Sequence, residues 1–177
     1  AGRRGDAAPR PQSPTRPSFS PTVRHAAGQL ATELGHPPTV RAIASVVRSI
    51  GYTNKDALSG ALLVAGWDAG GGGQIFGVPI GGALVPQPWA TDGSGSTYIW
   101  GYLDAHYRDG LTRAEAEGLV ITSLALAVST DGSSGGMARL VTVTKDGPER
   151  RVVAGDRMPL YSGAVEAEGG GDGLVVV

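Results

Sequence analysis

No cysteine occurs in the 177 residues, which excludes a disulfide framework, cysteine-ligated zinc and a thiol nucleophile together. Charge of one sign is not in excess either. Fifteen Lys and Arg stand against sixteen Asp and Glu, so nothing asks for a polyanionic partner and no nucleic-acid contact is expected. Histidine is scarce, and His25, His36 and His106 lie far apart, so no metal-ligand spacing arises and no cofactor is expected. No apolar run is long enough to cross a bilayer as a helix, and no membrane partner is expected. Glycine, by contrast, is abundant. Much of it falls in two runs, Gly70 to Gly73 and Gly169 to Gly171, which read as a loose loop and a loose tail.

The most informative stretch runs from Thr112 to Leu140. Thr112 with Glu115 makes a capping box, and Ala116, Leu119, Val120, Ser123, Leu124, Ala127 and Val128 recur at helical spacing. That helix carries one small, apolar face, which needs a sheet or another helix beneath it. It ends in a glycine-rich turn, Asp131 to Gly136, followed by a β-rich run from Met137 to Thr144 with Arg151 to Val153 as its hairpin partner. On composition the turn reads as a connector. The alternative is that a carboxylate and two hydroxyls at an element end are aimed into a cleft.

Taken in order, residues 1–21 form a proline-rich, arginine-bearing leader that cannot build a core and should be disordered. Its prolines also spoil the amphipathic face of an organelle transit peptide. A helix follows from about Thr22 to Leu34, closed by Gly35, and a second carries the stripe Val40, Ile43, Ala44, Val47, Ile50 with Gly51 as its stop. Leu58 to Trp67 reads as a strand buried on both faces. Gln74 to Val78 answers it across a floppy tip, and a further short strand is expected from Ala83 to Val85. The turn from Asp92 to Ser96 then opens a helix from Thr97 to about Tyr107, with a serine N-cap. Free backbone N–H groups at such an opening could hold an oxyanion, but the lysine of a P-loop is missing. Tyr98, Tyr102, Ile99 and Leu103 belong to core and flank.

Gly132 to Gly136 also matches the Gly-x-Ser-x-Gly pattern of a hydrolase nucleophile elbow. The order of elements contradicts that reading. An elbow needs strand, serine, helix, whereas here the helix comes first, and no histidine follows His106 to complete a triad.

Together the two turns and their flanks strongly resemble the β-type subunits of the eukaryotic 20S proteasome. The likeness is carried by Gln87 to Asp104, by Ala65 to Asp68 with Gly73 to Phe76, and by Leu124 to Gly136 with Arg151 to Val153 beyond. The last of these resembles the caspase-like, first catalytic β class. The resemblance covers about Leu30 to Tyr161 and implies an α+β fold, the αββα four-layer sandwich of N-terminal nucleophile hydrolases, in the domain 22–164. Residues 165–177 read as an acidic, glycine-rich tail.

The family uses an N-terminal threonine whose hydroxyl attacks the peptide carbonyl while its own α-amine takes the proton. By resemblance, Asp131, Ser134 and Ser94 are the supporting residues that orient that amine. The threonine-led first strands and the lysine have no counterpart in residues 1–21, and Thr15 and Thr22 each follow a proline. The resemblance therefore implies an N-terminally truncated chain with an incomplete sandwich, whose sheet edges and apolar faces lie open. It further implies α- and β-type neighbours in stacked seven-membered rings, unfolded polypeptide substrates cut after acidic residues, and residence in cytoplasm and nucleus. The alternative is an inactive subunit that serves only as an assembly or scaffold element.

Overall fold

The computed structural model describes residues 19–56 and 60–159. Most of the leader, Leu58 at the start of the expected strand, Gly169 to Gly171 and the acidic tail lie outside these residues. The chain divides into two compact units, Ala1–Pro38 and Thr39–Val177. The first contains α1 (Phe19–Leu34), which begins three residues before the expected Thr22. Pro21 is tolerated there because the N–H groups of a first helical turn have no intrahelical acceptor to lose. Gly35 ends α1 as expected: it adopts φ 70° and donates its N–H to the Ala31 carbonyl at 3.0 Å.

The second unit opens with α2 (Val40–Thr53), capped by the Thr39 hydroxyl, which accepts the Ala42 N–H. Val40, Ala44 and Val47 form its buried stripe. Gly51 does not stop the helix, contrary to expectation, since it keeps helical backbone. Asn54 does, through its side-chain Nδ2 bonded to the Ile50 carbonyl at 2.8 Å.

Three strands follow in one antiparallel sheet: β1 (Leu62–Asp68), β2 (Gly72–Val78) and β3 (Val85–Gln87), ordered β1-β2-β3. The last lies two residues beyond the expected Ala83 start. β1 is not buried on both faces as its composition suggested; its burial alternates residue by residue. The cause is a single covering helix. Val64 and Phe76 pack beneath Val40 and Ala44 of α2, and a Cβ on Gly66 would already touch Val40, so α2 covers that face. Leu63, Ala65 and Trp67 point the other way.

The β1–β2 tip, expected to be floppy, is tied down by Asp68. Its Oδ1 accepts the Gly70 and Gly71 N–H groups at 3.0 and 2.7 Å, and its Oδ2 accepts Gln74 Nε2 and the Val40 N–H, both at 2.8 Å. One carboxylate thus closes the turn and fastens it to the start of α2. These hydrogen bonds, led by those from Val40 and Gly71, hold the Asp68 pKa below its usual value.

Two helices come next, α3 (Ser96–His106) and α4 (Arg113–Thr130), then the hairpin β4 (Met137–Thr144) and β5 (Gly147–Ala154) and a 3₁₀ turn at Gly155–Arg157. The Thr112 and Glu115 capping box forms as read. α4 is covered on two sides rather than one. Ala125, with Ile121, Leu124 and Val128, packs on Ala138, Leu140 and Val153 of the hairpin, while Ala127, Leu119 and Leu126 pack on Ile99 and Leu103 of α3. Val120, placed on the apolar face by its spacing, is exposed. Glu117 ties helix to hairpin, accepting from Arg113 at 2.8 Å, Thr142 at 3.0 Å and Arg151 at 3.1 Å.

Each sheet therefore has a helix on its outer face, α2 on one and α4 on the other. Their inner faces look at each other: Ala65 and Ile75 of the first sheet line a groove of about 780 Å³ with Val141 and Val143 of the second. The layer order is that of an αββα sandwich, the expected fold class.

Candidate active site

The expected site residues come from two segments far apart in sequence. Ser94 lies in the loop between β3 and α3, and Asp131 and Ser134 lie in the turn that leaves α4. Trp89 anchors the first segment, packing with Ile99, Leu103 and Ala127 and meeting Trp100 edge-on at a centroid distance of 5.1 Å. Gly93 takes φ 95°, and its carbonyl accepts the Ser96 N–H, so the chain reverses just before the helix.

At the start of α3 the structure departs from expectation: the N-cap is Gly95, and no serine caps the helix. The Ser94 hydroxyl points instead across to α4, where it donates to Asp131 Oδ2 at 2.5 Å. Asp131 caps the C-terminus of α4, its N–H donating to the Ala127 carbonyl. The turn beyond brings Ser134 back so that its hydroxyl donates to the same Oδ2 at 2.6 Å, and the Ser133 N–H reaches Oδ1 at 3.2 Å.

All three residues named from the sequence thus meet on one carboxylate. Asp131 is buried, only 9% exposed, and among the described residues its side-chain donors are Ser134, Ser94 and the Ser133 backbone. Donation from Ser134 first, then Ser94 and Ser133, holds its pKa below the ordinary aspartate value against the opposing effect of burial. The carboxylate is ionised at neutral pH. Each serine spends its one O–H on Asp131, which leaves the oxygen lone pairs of both hydroxyls free to accept. The cluster is an acceptor array backed by a negative charge, suited to an N–H-bearing cation or amine.

Two contributors were not named from the sequence. Gly95 permits the approach: a Cβ there would lie 3.0 Å from Ala127 Cβ, 3.1 Å from Ser134 Oγ and 3.4 Å from Asp131 Oδ2. The Ser133 N–H is the other, and backbone donors leave no mark in composition. The Gly-Ser-Gly spelling around Ser94 was a visible cue to the first. Among the described residues no group of His, Cys, Asp and Glu is placed to hold a metal ion, and no helix is long and apolar enough to cross a membrane.

Comparison with known families gives a model described as proteasome subunit, matching residues 22–143. Proteasome subunit beta type-6 of Arabidopsis thaliana is 40% identical over 146 residues, which is 82% of this chain and 63% of the relative. Proteasome subunit beta type-9 of Rattus norvegicus is 47% identical over 129 residues, 73% of this chain and 58% of the relative. The Homo sapiens beta type-9 protein is 48% identical over the same length and shares. The chain spans about three fifths of the length of these relatives.

Proposed function

Because the chain belongs to the proteasome subunit family, on its β-type side, we propose that it is the greater part of a 20S core-particle β subunit taking part in threonine-type proteolysis. In this reading the reacting group is the α-amine and hydroxyl of an N-terminal threonine, assigned to the part of the family domain outside the matched span. Asp131, Ser134 and Ser94 hold that amine. The lone pairs left free on the two hydroxyls accept its N–H groups, so that its own lone pair is turned toward the threonine hydroxyl. When the hydroxyl attacks the substrate carbonyl the amine takes the proton and becomes cationic, and the Asp131 charge behind the serines favours that state.

The observation that carries this reading is the convergence of both hydroxyls on one buried carboxylate oxygen. Cleavage after acidic residues, seven-membered rings of α- and β-type neighbours, unfolded protein substrates, and cytoplasm and nucleus as compartments belong to the same proposal. Their support is the likeness to β-type subunits.

The test uses core particles that carry this chain's domain in the β ring, assayed on a peptide with an acidic residue before the scissile bond. Asp131→Asn should lower kcat by about 100-fold or more, the scale on which a mispositioned proton acceptor acts. Incorporation with no acidic cleavage to lose would defeat the catalytic reading. It would leave the second one standing, that of a scaffold subunit, which rests on the family match alone.

A further inference from the structure

Aspartate followed by glycine has a chemistry of its own. With no side chain on the second residue, its amide nitrogen can reach the carboxyl carbon of the first and close a succinimide ring that a β-carbon beside the nitrogen would hinder. Five aspartates here precede glycine: Asp92, Asp109, Asp131, Asp146 and Asp172, the last of them outside the described residues. The fold restrains three of the other four. Asp131 is buried, with Oδ2 held by Ser94 and Ser134 and Oδ1 by the Ser133 N–H, so its carboxyl carbon is pinned and its ionised form, which resists attack by nitrogen, is favoured. Asp109 accepts from the Tyr107 hydroxyl at 2.9 Å. Gly147 is held in the hairpin ladder opposite Thr144, so the nitrogen next to Asp146 belongs to a paired strand.

Asp92 has none of these restraints. It is exposed, as is Gly93, and among the described residues the Gly93 N–H has no hydrogen-bond acceptor. Nothing beyond its chain neighbours lies within 4 Å of the Gly93 Cβ position, so the nitrogen has open space around it. The same turn, reversed at Gly93 with φ 95°, aims Ser94 at Asp131.

We propose that the Asp92 and Gly93 pair is a site of spontaneous isomerisation to isoaspartate, which unhooks Ser94 from Asp131. The Gly93 nitrogen gives up its proton and bonds to Asp92 Cγ as the protonated carboxyl releases its hydroxyl, so ring closure expels one water. Water then adds back at either ring carbonyl. Breaking the new bond to Cγ restores aspartate; breaking the original bond to the Asp92 backbone carbonyl carbon routes the main chain through Cβ and Cγ and leaves that carbonyl as a carboxylate. The main chain is then longer by one carbon, about 1.5 Å, between two fixed points, Trp89 in the core and Gly95 against Ala127. The Ser94 bond to Asp131, 2.5 Å long, has no such slack, since an O–H donor is lost beyond about 3.0 Å. In the proteolytic reading above, this event removes one of the two hydroxyls that hold the amine. Ring closure does not depend on that reading, so either can fail without the other.

The test stores the 177-residue chain in warm neutral buffer made with heavy-oxygen water and maps it by electron-transfer fragmentation, which tells isoaspartate from aspartate. Label and isoaspartate should accumulate at residue 92 several-fold faster than at Asp109, Asp131 or Asp146. Asp92→Asn should accelerate the conversion, because ammonia leaves in the same ring closure more readily than hydroxide, and Asp92→Glu, which would need a larger ring, should stop it. In the stored protein the carboxyl-carbon NMR titration of Asp131 should split in two, the isomerised fraction having the higher pKa because one donor is gone, while stored Asp92→Glu protein shows a single titration. Conversion at residue 92 no faster than at the other three aspartates overturns the site. Conversion that leaves the Asp131 titration in place overturns its link to Ser94.

Discussion

Gly95 and Gly101 lie six residues apart at α3, and the same substitution should act on them with opposite sign. At Gly95 the added methyl would meet Ala127 Cβ at 3.0 Å, well inside the roughly 3.5–4.0 Å at which carbon atoms attract. Ala127 is buried, and its Cβ is fixed to the α4 backbone, so it cannot turn aside. Ser134 Oγ, at 3.1 Å, can rotate only by giving up its bond to Asp131. Overpacking of this kind costs about 1–3 kcal/mol. Against it stands a gain. Gly95 has φ −76° and ψ −9°, open to any L residue, so alanine narrows the unfolded ensemble by about 0.4–1 kcal/mol without straining the fold.

The balance is a loss of roughly 0.5–2 kcal/mol, or about 2–7 °C in Tm. Gly101 has nothing within 4 Å of its Cβ position and lies inside α3, so Gly101→Ala should gain about 0.5–1 kcal/mol. Urea unfolding of the two variants beside the parent chain measures both. A carboxyl-carbon NMR titration of Asp131 adds a local readout, because Gly95→Ala should move its pKa back toward the ordinary value as the serine donors are displaced. If Gly95→Ala proved as stabilising as Gly101→Ala, the close approach of α3 to the Asp131 turn would be refuted.

Other expectations follow from single interactions. Leu140→Ala removes a side chain buried between α4 and the β4–β5 hairpin and should cost about 2–5 kcal/mol in urea unfolding, whereas Val152→Ala on the exposed inner face should stay within about 0.5 kcal/mol. Thr112→Ala removes the hydroxyl that accepts the Glu115 N–H and should lower stability by about 0.5–2 kcal/mol, measurable as a shift in the urea midpoint. The Asp68 pKa is depressed in the fold, so its contribution is complete above the unfolded value near 3.9 and is lost as pH falls through the lower native value. Asp68→Asn should accordingly flatten the acid limb of a stability-against-pH curve, and an unchanged slope would count against the clamp between the hairpin tip and α2.

What could be read from the sequence divides along the range of the interaction. The Thr112 and Glu115 cap and the Gly35 stop were legible because donor and acceptor lie within one helical turn. Gly51 misled because a glycine may end a helix or sit inside it, and the deciding bond came from Asn54. β1 misled in another way: an unbroken apolar run fits two-sided burial, but here only α2 covers it closely, and the opposite face looks onto the groove that separates it from the second sheet, which local spacing does not reveal. The tip beyond β1 looked loose by its glycines because the clamp that closes it joins Asp68 to Val40, 28 residues away.

The site shows the same limit more sharply. Ser94 and Asp131 are separated by 37 residues, and no periodicity in either segment pairs them; only the likeness to a known family put them together on paper. In the fold their meeting is permitted by two small residues, Gly95 at the N-cap of α3 and Ala127 on α4, which let the two segments come close enough for a hydroxyl to reach a carboxylate. Small residues are weak signals in composition because they take part by what they omit. A glycine-serine turn therefore reads as a connector until the surface it must fit is known. The chemistry of this site resides in the packing of α3 on α4 as much as in the polar groups themselves, which is why a methyl group at Gly95 should disturb Asp131 although no charge or hydrogen-bonding group has changed.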